Sequence, residues 1–169
     1  MTREKTPNDR DTYEVDPYCL FRLVEGGAEV SEATSQRIVV EALRRVRVAV
    51  FAVPNGGSRG GGAREGATLA GQGVSAGVPD LILPVPSPGR KMGLALEMKR
   101  GNGSPRDVSA SQWEWLEWLH LAGWGTAVGY GHADALAKLR AYGYLPKGPL
   151  TRRHGARYFD HGAKGAEVP

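Results

Sequence analysis

The stretch that decides the fold is GVPDLILPVPSPGRKMGLALEMKRG, residues 77–101. Two β-rich apolar runs, DLIL at 80–83 and MGLALEMK at 92–99, flank SPGR at 87–90. With Pro then Gly at its centre, SPGR suits a type II turn, so the segment predicts a β-hairpin. Pro84 and Pro86 cannot donate to a ladder, so regular pairing is expected to stop near Leu83. On the returning strand alternate side chains share a face: Ala95, Glu97 and Lys99 on one, Leu94, Leu96 and Met98 on the other. Asp80 heads the first strand and is carried to the same end, so two carboxylates and an ammonium converge at one edge of the sheet.

Three readings of that convergence compete. A salt bridge between Lys99 and one carboxylate is the ordinary one. A divalent site is the second, since hard Mg²⁺ or Mn²⁺ prefers carboxylate oxygen and water. A metal-free acid–base pair is the third, and it leaves Lys99 without a task. Gly77 before the first strand and RGNG after Lys99 would let a large substrate backbone approach closely, which favours the metal.

Outward from the hairpin the chain alternates helix and strand. SEATSQRIVVEALRRV (31–46) carries Val39, Leu43 and Val46 at helical spacing, Ile38 and Ala42 on a flanking row, and Arg44, Arg45 and the following Arg47 mainly outside it, with Ser31 as N-cap. VAVFAV (48–53) reads as a buried strand ended by Pro54. The glycine-rich stretch 55–77 reads as a long adaptable loop, and loops of that length in compact domains are usually functional or disordered. SASQWEWLEWLHLAG (109–123) predicts a helix with Trp115, Leu116, Leu119 and Ala122 inward. WGTAVGY predicts a fourth strand, and HADALAKLRAYG a last helix with Leu136 and Leu139 inward and Gly143 as its stop. The order implies an α/β fold: a small mixed β-sheet flanked by helices, the last strand parallel to the third through a crossover helix.

Composition bounds the function classes. The 169 residues suit one domain, and no apolar run could span a bilayer. The polar N-terminus argues against a secretory signal, and the single Cys19 against an internal disulfide, so a cytoplasmic setting is expected. Net charge is +4, permissive of nucleic acid. Residues 1–28 form an acidic N-terminal extension, and 146–169 a basic, Gly-rich tail read as a solvated end rather than a phosphate-binding arm. A P-loop is excluded, because no Gly-Lys-Ser/Thr closes the glycine loop.

The Pro-Asp at 79–80 followed by Glu-Met-Lys at 97–99 resembles the PD-(D/E)xK nuclease pattern. In order along the chain, PNGG (54–57), GVSAGVPDLILPVP (73–86), GLALEMKRGNG (93–103), SASQ (109–112) and GWGTAVGYG (123–131) resemble the virus-type replication-repair nuclease (VRR-NUC) family. The resemblance spans residues 31–145, within a domain drawn at 29–145. It implies a restriction-endonuclease-like core and metal-dependent hydrolysis of DNA, with Asp80, Glu97 and the Met98 backbone carbonyl binding Mg²⁺ or Mn²⁺. Glu32 would complete the set directly or through water. Lys99 would orient or activate the attacking water, and Gln112 would orient Lys99 or the water. Small viral members imply a homodimer acting on branched DNA such as four-way junctions, in the host cytoplasm. The chain departs from the family at SPRDV, 104–108, where the typical member is shorter, which puts the geometry around Gln112 in question.

Plainer readings stand beside these roles. Glu32 in a first helical turn is favourable against the helix dipole. Ser109-x-x-Gln112 is a capping box, so Gln112 could simply bond back to the Ser109 N–H. Asn55, Arg59 and Arg64 suit phosphate contact from the glycine loop, or solvated loop charge. The four tryptophans could stack on bases, but core or dimer contacts are commoner. The histidines match no zinc spacing. A catalytically silent DNA-binding or assembly module with the same fold is the alternative function. Loss of one acidic position would have favoured it, and none is lost.

Overall fold

The computed structural model describes residues 30–53, 70–86 and 92–147. The SPGR turn, the N-terminal extension, residues 148–169 of the tail, Asn55, Arg59 and Arg64 lie outside the described residues. Helix α1 (Glu32–Arg45) is followed by β1 (Phe51–Ala52), β2 (Leu81–Leu83) and β3 (Leu94–Lys99). A 3-10 turn (Pro105–Asp107), α2 (Ala110–Leu121), β4 (Gly125–Tyr130) and α3 (Gly131–Ala141) complete the order. The four strands form one sheet in the order β1-β2-β3-β4. β1, β2 and β3 pair antiparallel, and β4 joins β3 in parallel with Glu97 opposite Val128 and Lys99 opposite Tyr130. The predicted parallel crossover is present, with α2 as its helix.

The alternation read from β3 places the layers. Leu94, Leu96 and Met98 face a core closed by Val39, Leu43 and Val46 of the α1 region and Ala135 and Leu139 of α3. The opposite face, where Glu97 lies, is covered by α2 through a second cluster of Val108, Leu116, Val128 and Tyr130, with Trp113 against it. Ser31 caps α1 as expected, its hydroxyl accepting the Thr34 N–H at 3.2 Å. β2 ends at Leu83, where Pro84 removes the next donor.

Two expectations fail. The run 48–53 is not a buried strand: only Phe51 and Ala52 pair, and both are exposed, Phe51 by 53%. Among the described residues, β1 is an edge strand with β2 as its one neighbour, and the run's deeply buried residue is Val48, just past α1. The α2 stripe is also narrower than its spacing suggests. Only Leu116 is buried; Trp115 and Leu119 are half-buried, and Ala122 and Trp118 are exposed. Two of its tryptophans pack on each other instead. Trp118 meets Trp115 edge to face at 5.5 Å, and the Trp115 indole N–H donates to Ser75 Oγ at 3.3 Å.

The SPRDV departure forms an ordered turn. Ser104 N–H donates to Asp107 Oδ2 at 2.6 Å, Asp107 N–H returns to the Ser104 carbonyl at 2.9 Å, and Val108 anchors the segment in the second cluster. The extra residues therefore leave Gln112 delivered to the β3 strand.

Candidate active site

β3 places the site because it outlasts its partner. The antiparallel ladder with β2 stops at Leu81–Leu96, so residues 97–99 run past the start of β2. Asp80, one residue before β2, fills part of the gap: its Oδ2 accepts the Met98 N–H at 2.8 Å. A strand residue directs its N–H and C=O to the same side. The Met98 carbonyl is thus also aimed toward Asp80, beyond the end of the ladder.

On the face beneath α2, Glu97, Lys99 and Gln112 form a closed triangle. Lys99 Nζ donates to Glu97 Oε1 at 2.9 Å and to Gln112 Oε1 at 3.0 Å, and Gln112 Nε2 donates to Glu97 Oε1 at 2.5 Å. Gln112 Oε1 also accepts the Ser109 N–H at 2.9 Å, while Ser109 Oγ accepts the Gln112 N–H at 3.3 Å. One Gln112 amide thus makes the contacts of both readings, the capping bond to Ser109 N–H and the bond from Lys99. Gln112→Ala should remove both. The Ser109 N-cap bond to the residue 112 N–H survives, so losing the side-chain bond to Ser109 N–H costs roughly 0.5–1.5 kcal/mol, which urea unfolding would read. A destabilisation below that range would show that the capping bonds contribute little here.

Glu97 divides its oxygens. Oε1 serves the triangle, whereas Oε2 is buried without a partner, on a residue 1% exposed. Burial, then the Asp80 charge, push its carboxyl up to about 7, against the lowering effect of the Lys99 hydrogen bond. Glu32 is raised in the same direction, by burial first, opposed by Lys99, and pushed further by Asp80. These mutual fields put Glu32 in the same electrostatic neighbourhood, which the sequence could not establish. Among the described residues no three His, Cys, Asp or Glu side chains stand close enough to hold a metal by themselves. Asp80, Glu97 and Glu32 act on one another through their charges.

The donor set suits a hard divalent cation. A buried carboxylate oxygen left unpaired, a neighbouring carboxylate and a backbone carbonyl aimed past the ladder are oxygen donors of the kind Mg²⁺ and Mn²⁺ take. Without such an ion, Glu97 and Glu32 both hold a proton more tightly folded than unfolded. A carboxyl raised on folding contributes stability below its unfolded value, and the contribution is lost as pH rises through its folded value. The metal-free protein should therefore lose melting temperature between about pH 4.5 and 7 through Glu97. Mg²⁺ should flatten that slope, and a metal-free profile indifferent to Glu97→Gln would contradict the assignment.

The remaining expectations divide. His120 and His132 are half-buried, each with a buried Nδ1 lacking a partner, and join no metal cluster among the described residues. Trp113 and Trp124 are half-buried as core contacts would be, and Trp118 is 56% exposed. No helix among the described residues is long and apolar enough to cross a membrane.

No protein-family model and no curated protein matches the chain. A solved structure described as a VRR_NUC domain protein does match, with a TM-score of 0.54 and 24% identity, over 69% of this chain and 90% of that one. The mixed four-stranded sheet with its flanking helices is the α/β fold shared with that domain.

Proposed function

We propose that this protein is a Mg²⁺- or Mn²⁺-dependent endonuclease that hydrolyses DNA phosphodiesters, and that it acts as a homodimer on branched DNA such as four-way junctions. The observation that carries the reading is the division of Glu97: one oxygen held by Lys99 and Gln112, the other buried and unpaired beside Asp80. A salt bridge built only for stability would not leave a buried carboxylate oxygen unsatisfied. Asp80, Glu97 and the Met98 carbonyl would hold the ion, with Glu32 reaching it through water. When bound, the ion supplies positive charge against the phosphate and acidifies water.

The chain's own residues do the rest. Lys99 Nζ, half-buried and fixed by two acceptors, presents its third donor position to a water or a phosphate oxygen. Gln112 prevents Lys99 from swinging away and donates to Glu97, keeping the carboxylate in one rotamer. Exposed Arg100 follows Lys99 at the rim, where a phosphate backbone would lie. The nuclease-type fold of the solved VRR_NUC domain supports the reaction class. The branched substrate and the dimer follow from the sequence resemblance, and two copies would supply the two active sites that paired cuts require.

The test is cleavage of a labelled four-way junction beside linear duplex, flap and single strand, with Mg²⁺, Mn²⁺ or EDTA. Metal-dependent cutting of the junction above the others is the expected result. Junction binding without cutting in either metal would sink the enzyme and leave a silent DNA-binding module.

A further inference from the structure

Beyond Lys99 the structure holds a second, fully buried charge pair. Asp134 and Lys138, four residues apart on α3, are both 0% exposed, with Lys138 Nζ 2.8 Å from Asp134 Oδ2. Asp134 Oδ2 also accepts the Tyr130 N–H at 2.9 Å, Lys138 Nζ donates to the Val128 carbonyl, and Tyr142 Oη donates to the Thr126 carbonyl at 3.1 Å. These backbone groups alternate along β4 on the side away from β3, because Gly125 N–H already bonds the Gly93 carbonyl toward β3. Four helical residues rise about 6 Å, close to the advance of two strand residues. Residues 134, 138 and 142 can therefore meet 130, 128 and 126 one for one. The side chains of α3 and its last turn take the place of a fifth strand.

Two of the three rungs lie opposite the site. Val128 is in register with Glu97 and Tyr130 with Lys99, whereas Thr126 is in register with Ala95. On the β2 side, residues 97–99 have lost the strand ladder and keep the Asp80 contact. Their backbone is thus held chiefly through β4. Gly131, at φ +74°, starts α3 against the turn after Lys99: a Cβ there would lie 2.9 Å from Gly101 Cα. We infer that Asp134 and Lys138 are positioning residues, which fix Glu97 and Lys99 by locking β4 against β3.

The inference rests on the nuclease reading for its rate measurement, and a second measurement is independent of it. Removing Lys138 alone would strand the buried Asp134, but replacing both members of a buried pair by neutral residues of like volume is commonly tolerated. Three variants are compared. Asp134→Asn with Lys138→Met removes the Val128 rung. Asp134→Asn with Lys138→Gln keeps both rungs without charge. Tyr142→Phe removes the rung away from the site. On the DNA that the wild type cuts fastest, the methionine variant should lose kcat by about tenfold or more with KM little changed. The glutamine variant should recover most of it, and Tyr142→Phe should keep the wild-type rate. Amide hydrogen exchange at 97–99 should quicken only in the methionine variant, compared at equal global stability. Equal kcat and equal exchange in all three would overturn the inference. If the wild type cuts nothing, the nuclease reading fails and the exchange comparison alone decides.

Discussion

Glu97→Gln is expected to abolish cleavage and, in the same protein without metal, to raise stability at pH 8. The two effects share a cause. The Glu97 carboxylate is buried beside Asp80, which pushes its proton affinity up to about 7, so holding it charged above that pH opposes folding. The amide keeps the shape and can still meet Lys99 and Gln112, yet has no charge to bury. At about 1.4 kcal/mol per pKa unit, the gain at pH 8 should be roughly 1–3 kcal/mol, and at pH 5 under about 1 kcal/mol, because folded Glu97 is then protonated and only the ionisation of the unfolded carboxyl remains. Cleavage should fall by about a hundredfold or more, as when one electrostatic contributor to a transition state is removed. Thermal melting at the two pH values and single-turnover cleavage would be read on one preparation. A variant destabilised at pH 8 would show instead that the Lys99–Glu97 bond outweighs burial, and the site would then be an ordinary structural salt bridge.

The second large effect concerns Gly77. Its φ is +85°, and a Cβ there would lie 2.5 Å from the Ser111 carbonyl carbon, 2.6 Å from its oxygen and 2.8 Å from Gln112 N. These are backbone atoms at the start of α2, so they cannot rotate away. Gly77→Ala must either unwind the left-handed residue, at about 1–2 kcal/mol, or push the segment carrying Asp80 from the helix carrying Gln112. A total loss above about 2 kcal/mol is expected, a fall of roughly 5–10 °C in melting temperature for a domain of this size. Because Asp80 and Gln112 bracket Glu97 and Lys99, cleavage should fall even where the variant is fully folded. An alanine variant with wild-type melting and rate would mean that Gly77 is not wedged against α2.

The site residues were partly legible in the chain. Alternation along 94–99 put Glu97 and Lys99 on one face and Met98 on the other, because strand geometry has period two whatever surrounds it. The hairpin brought Asp80 near them. Gln112 stood as a capping residue or a partner of Lys99, and local pattern could not choose, since one amide oxygen can accept two donors. Glu32 carried a similar ambiguity, and only packing put it in the field of Asp80 and Lys99.

Other features had no sequence signal. HADALAKLR reads as an amphipathic helix with Leu136 and Leu139 inward; Leu139 is buried, while Asp134 and Lys138 on the same helix are buried as well. Periodicity assigns charged residues to solvent, and it fails where an edge strand offers backbone groups that charge can satisfy. The run 48–53 failed in the opposite sense, since apolar β-rich composition does not say whether a strand will be central or at the edge.

By itself the sequence determined the strand and helix order, the parallel crossover and the shared face of Glu97 and Lys99, all consequences of local periodicity. The tertiary structure alone decided which carboxylate oxygen is left buried and unpaired, that Gln112 bonds Ser109, Lys99 and Glu97 together, and that α3 covers the edge of β4. Those depend on desolvation and on contacts between residues distant in the chain, which no local pattern encodes.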